Sequence, residues 1–198
     1  MPDRGMGEGQ CNMNEVELIR GQLAVERQHA AEVARACASV LAPATARGTE
    51  RLASLEAFRR TGVEYLAWIL TRFEEREQVF HDLLRSRFPA DAANRREVES
   101  ALALPGTSRE ALAKLETALG SGDLESAATR WGDFLRFFSG AWIARRDEID
   151  RLFERQAKVA DWRAVSGIDA DSIVDERSRY ARVKATLPTD IEMPSTRL

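Results

Sequence analysis

The spacing of apolar residues constrains this chain more than any other feature of it. Between Val16 and Val40 they recur at Ile19, Leu23, Ala30, Val33 and Cys37, mostly in steps of three or four. That rhythm places them on one side of a helix, a side that must be buried against something else. Asn14 followed by Glu17 predicts where the helix is capped, and Pro43 where it ends. A second stripe, Leu52, Leu55, Phe58, Leu66, Ile69, Phe73, Phe80 and Leu84, predicts a helix from Thr49 to Phe88, just before Pro89. Thr61-Gly62 is the point in it where a bend or break is expected.

A short helix is expected over 96–103, before Pro105-Gly106. Thr107 and Glu110 then form a capping-box pattern that opens a helix to Leu119, with Gly120 as its stop. Asp123 opens the next. Its residues Leu124, Ala128, Trp131, Leu135, Phe138, Trp142, Ile149 and Leu152 keep a heptad-like seam of the kind used in antiparallel bundles. No segment alternates with the period of a strand. The expectation is therefore all-α: an up-down four-helix bundle of long helices over 14–158. A disordered leader is expected over 1–13 and a C-terminal helical arm over 159–198. In the arm, Trp162 and Gly167 are expected in a loop, a short helix over 172–185 opens at Asp171, and a mobile tail covers 186–198.

The chain's 198 residues, 44% of them hydrophobic and 31% charged, suit one domain able to bury a core without disulfides or metals. A net charge of −3 and the lack of any Lys/Arg block give no pull toward nucleic acid. No apolar run approaches the roughly 18 residues of a membrane span. Residues 1–13 lack the apolar stretch of a signal peptide. Cys11 and Cys37 show neither zinc-site nor disulfide spacing, so two free thiols in the cytoplasm are expected.

Charge interrupts the apolar seams. Stepping 19, 23, 26, 30, 33 along the first helix puts Glu26 in line with the core, with His29 one turn on. In the second helix the step after Phe73 falls on Arg76 or Glu77, and His81 lies a turn beyond Glu77. In the fourth, the step between Trp142 and Ile149 falls on Arg145, with Glu148 beyond it. Charges in a bundle core must be paired, ligated or at its rim. Glu-x-x-His on an inward helix face can hold a metal, so Glu26, His29, Glu77, His81 and Glu148 form a candidate metal set. Such sites usually draw on more imidazoles than the two this chain has. A core-facing Arg76 or Arg145 would instead put a salt-bridge network where a cation might sit.

The segments FEEREQVFHDLLR (73–85) and ARRDEIDRLFER (144–155) resemble the ends of the second and fourth helices of hemerythrin-like cation-binding domains. The resemblance covers residues 14–156 and implies the hemerythrin-like bundle fold. It aligns Glu75 and Glu148 with the family's acids and His29 with its first-helix histidine. Thr71 and Ala144 stand where it has metal-binding histidines, and His81 falls where it often has a proline. It therefore implies a bundle with an incomplete ligand set.

Two functions follow as expectations. One is a non-enzymatic interaction or scaffold module without a cofactor. It would act as a homodimer or with a protein partner, through the arm or the aromatic fourth helix (Trp131, Phe134, Phe137, Phe138 and Trp142). The other is a carboxylate bundle binding iron or another divalent metal through the candidate set above. No glycine-rich phosphate loop and no nucleophile motif suggests an enzyme.

Overall fold

The computed structural model describes residues 7–41, 49–87, 93, 95–96, 110, 112–114, 116–117, 124–136 and 157–193. Of these, 88% are helical and none is in a strand, so the protein is all-α. Five helices are defined: α1 (Gly7–Leu41), α2 (Thr49–Arg87), α3 (Leu124–Arg136), α4 (Val159–Ser166) and α5 (Ala170–Ala185).

Helix α1 is described as far as Leu41, and the stop expected before Pro43 lies outside the described residues. It starts at Gly7, so part of the segment expected as a leader is helical. Extending an existing helix avoids the cost of nucleation, so helix can continue on the N-terminal side of the Asn14 signal. Helix α2 runs unbroken through Thr61-Gly62. The Thr61 hydroxyl donates to the carbonyls of Ala57 and Phe58 one turn back. Gly62 serves packing rather than bending. A Cβ built there would lie 2.5 Å from Cys37 Sγ, so the missing side chain is what lets α1 and α2 approach.

Cys37 opposes Gly62 and Glu26 opposes Arg76, so α1 and α2 are antiparallel. Their facing stripes make the main core, with Ala30, Val33, Ala34, Phe58, Leu66, Ile69 and Phe73 at or near zero exposure. Helix α3 adds Trp131 and Phe134, and the Trp131 indole donates to the Ala34 carbonyl at 2.9 Å. A smaller apolar cluster, Ile19, Leu23, Phe80 and Trp162, closes the other end of the α1–α2 pair.

Trp162, expected in a loop, lies inside α4 and is buried. A helix of eight residues is too short to write a readable periodicity into the sequence. Gly167 follows at φ 52°, the left-handed stop that glycine favours. Asp169, rather than Asp171, caps α5. Its Oδ1 accepts from the Ser172 backbone N–H at 2.7 Å, and Ser172 Oγ accepts in return from the Asp169 N–H. That bond, chiefly, holds the Asp169 carboxyl below the usual aspartate range. Beyond α5, the described part of the expected tail is packed. Leu187, Ile191 and Met193 lie against the main core, and Thr186 bonds Thr61 side chain to side chain at 2.6 Å.

Candidate functional site

The polar residues that break the seams meet in the interior at two places. The first lies between the two apolar clusters. Along α1, Glu26 falls between Leu23 and Ala30. Along α2, Arg76 falls between Phe73 and Phe80. The Glu26 carboxylate is wholly buried and Arg76 is 5% exposed. The guanidinium takes both carboxylate oxygens, Nη1 on Oε2 and Nη2 on Oε1 at 3.3 Å. Its remaining edge is used as well, since Nε donates to the Ser166 carbonyl at 2.5 Å. That carbonyl lies in the last turn of α4, where the helix leaves acceptors open and a cation is favoured. Arg76 thus joins α1, α2 and α4 at one point. Arg72 stands further off, 4.0 Å from Glu26.

The second place joins α5 to the α1–α2 pair. Glu176 is wholly buried, and its Oε1 receives the Tyr65 hydroxyl at 2.8 Å and lies 2.8 Å from His29 Nδ1. Its other oxygen, Oε2, has no hydrogen-bond partner among the described residues. The His29 ring is held on its face too: it stacks on Tyr180 with centroids 3.6 Å apart and planes 7° from parallel. The Tyr180 hydroxyl reaches back to Glu32 on α1, which also accepts from Gln28 at 2.9 Å. Burial, and then Glu176, push the Tyr65 phenol far above its ordinary range. Burial, and then Glu32, do the same at Tyr180. Both phenols donate, Tyr65 to Glu176 and Tyr180 to Glu32.

Nearer the surface, Arg182 bonds Glu64 at 2.9 Å, and the guanidiniums of Arg72 and Arg179 lie over the Trp68 ring, 5.0 and 4.9 Å from its centroid. The described part of the arm is therefore tied down. At its start Arg163 of α4 pairs with Glu15, an exposed contact that lowers the Glu15 carboxyl below its usual range.

The candidate metal residues are placed as follows. Glu26 and His29 are on α1, one turn apart, but each is engaged elsewhere, Glu26 with Arg76 and His29 with Glu176. Glu77 and His81 lie on α2, with side chains outside the described residues. Glu148, Arg145 and the aromatic residues Phe137, Phe138 and Trp142 also lie outside them. Among the described residues no three of His, Cys, Asp and Glu converge as metal ligands would. The chemistry this arrangement offers is fastening. A guanidinium fork neutralises one carboxylate, and an imidazole and a phenol hold the other.

Residues Glu176, Tyr65 and Ser166 are missed by the sequence reading. The signal for Glu176 is its place in the stripe Ile173, Glu176, Tyr180, Val183, where an acid stands at an inward position. No family model, curated protein or solved structure matches this chain. No described helix is long and apolar enough to cross a membrane.

Proposed function

We propose that this protein is a non-enzymatic interaction or scaffold module. In this reading it is a hemerythrin-like up-down helical bundle without a complete metal site, acting through protein contacts in the cytoplasm. One observation carries the reading: the two wholly buried carboxylates among the described residues, Glu26 and Glu176, are used to tie helices together. A guanidinium on Glu26 also places positive charge where a bundle metal would need negative charge. Burying charge to join three helices serves a fixed arrangement of surfaces, which is what a scaffold presents to partners.

The iron- or divalent-metal-binding alternative makes the opposite forecast for a simple experiment. Protein purified without an affinity tag should contain iron, manganese and zinc far below one equivalent. Its thermal midpoint should not move when each metal is added in excess. A ligand at a hundred times its Kd adds about 2.7 kcal/mol of stability, so true binding would raise the midpoint visibly. Stoichiometric metal, or such a rise, would overturn the scaffold reading.

A further inference from the structure

Glu176 holds His29 in a way that leaves one ring nitrogen for chemistry. The Glu176 carboxylate is wholly buried, and its Oε1 accepts the Tyr65 hydroxyl at 2.8 Å. The same oxygen lies 2.8 Å from His29 Nδ1. As an ionised carboxylate it can only accept, so Nδ1 carries the ring proton and donates it. In the neutral ring the other nitrogen, Nε2, then holds an in-plane lone pair. Among the described residues Nε2 has no hydrogen-bond partner, and 19% of the side chain is open to solvent. Tyr180 stacks on the ring with planes 7° from parallel, which fixes its orientation and covers a face, not the edge where that lone pair lies.

An imidazole whose far nitrogen donates to a buried carboxylate is an activated nucleophile. Attack by Nε2 places positive charge on the ring. Glu176 meets that charge through Nδ1–H, in an interior where water does not screen it. Glu32 stands near the ring as well, but its carboxylate is engaged by Tyr180 and Gln28. The exposed Lys184 has its Nζ 5.7 Å from the Tyr180 ring, so a cation borders the cluster and suits an electrophile that carries negative charge. We propose that His29 is a phosphoryl-accepting residue, with Nε2 as the nucleophile, Glu176 as its positioning residue and a small acyl phosphate as the donor. Nε2 bonds to phosphorus as the bond from phosphorus to the acyl oxygen breaks. The acyl carboxylate leaves with the electron pair, the Nδ1 proton stays on the ring, and nothing is oxidised or reduced. The inference goes beyond the interaction-module reading and stands or falls separately from it.

Labelling of the full chain with acetyl phosphate at neutral pH tests it. Intact-mass measurement is expected to show one added phosphoryl group, lost in acid and kept in alkali, the reverse of a serine phosphate. Peptide mapping should place it on His29, and H29Q should remove it. E176Q keeps an acceptor for Nδ1–H but not its charge. It should slow the labelling of His29 about tenfold or more, the effect of one charge-assisted hydrogen bond, while circular dichroism shows the helices intact. No phosphoryl group on His29, an acetyl group there instead, or equal rates in E176Q and the wild-type chain overturns the proposal.

A comparison within the wild-type chain provides the second measurement should E176Q fail to fold. His29 should take the label about tenfold or more faster in the folded chain than in the same chain unfolded in urea, because only folding brings Glu176 to Nδ1. Equal or slower labelling of the folded chain is the overturning result.

Discussion

The two wholly buried carboxylates among the described residues, Glu26 and Glu176, are treated differently, and the difference divides the molecule. Glu26 faces a guanidinium that takes both its oxygens and also caps α4. Glu176 has one oxygen shared by an imidazole and a phenol and a second oxygen without a partner among the described residues. The first carboxylate sits between two apolar clusters that α1 and α2 build together. The second sits under a helix that contributes little apolar surface. Buried charge thus serves a permanent joint in one place and a conditional one in the other. A fully matched ion pair specifies register, whereas a partly matched one leaves its helix near the low end of local stability.

The contrast can be broken most forcefully at the permanent joint. Glu26→Ala leaves Arg76 buried without its counter-charge and should cost about 3–5 kcal/mol in urea unfolding. Replacing both partners with apolar residues of similar volume, E26L with R76M, should recover most of that loss. If the double variant is as damaged as the single one, the ion pair is not what holds this layer. A smaller and more local effect is expected at the conditional joint. Glu176→Gln keeps a hydrogen-bonding group of the same size and should cost about 1–3 kcal/mol. The loss should appear in hydrogen exchange as faster exchange along α5 while the α1 and α2 amides stay protected. Uniform loss of protection across all helices would erase the distinction drawn between the two regions.

The most gradual effect, small over any single pH unit, concerns alkaline pH and sharpens the same comparison from the apolar side. Burial pushes the Cys37 thiol up to about 12 from an ordinary value of 9.0, with Arg59 pulling weakly the other way. A group raised on folding stabilises fully below its unfolded pKa, and that contribution fades as pH climbs toward the folded value. Stability should therefore fall by about 1.4 kcal/mol per pH unit above pH 9, the equivalent of one differentially bound proton. The raised Tyr65 phenol should steepen the fall above about pH 10. Denaturant midpoints across this range check it, with C37A expected to remove the first part of the slope.

Much of this arrangement is legible in the sequence because long helices repeat their message. Glu26 and Arg76 both stand where the three-four step demands an apolar residue, and an unexpected charge at such a position is a readable sign. The partner of each is not readable, because which stripe faces which is decided by packing across the chain. His29 shows the limit well. Its neighbour by sequence is Glu26, yet it pairs with Glu176, 147 positions away. The stripe of α5 escapes notice because its central inward residue is an acid and its other faces are charged, so the periodic signal is weak. Trp162 escapes because its helix is barely two turns long. The two α2 side chains proposed from spacing alone, Glu77 and His81, lie outside the described residues.

The notch that Gly62 cuts for Cys37 has a consequence for how such a chain could change over time. The notch and Arg76 sit on the same rigid rod, and both must face α1 together. Inserting or deleting one residue between them would turn one relative to the other by about 100°. Either the sulfur would find its recess or the guanidinium its acid, never both. Length variation in this protein should therefore gather in the segment joining the two long helices and be purged from the stretch between 62 and 76.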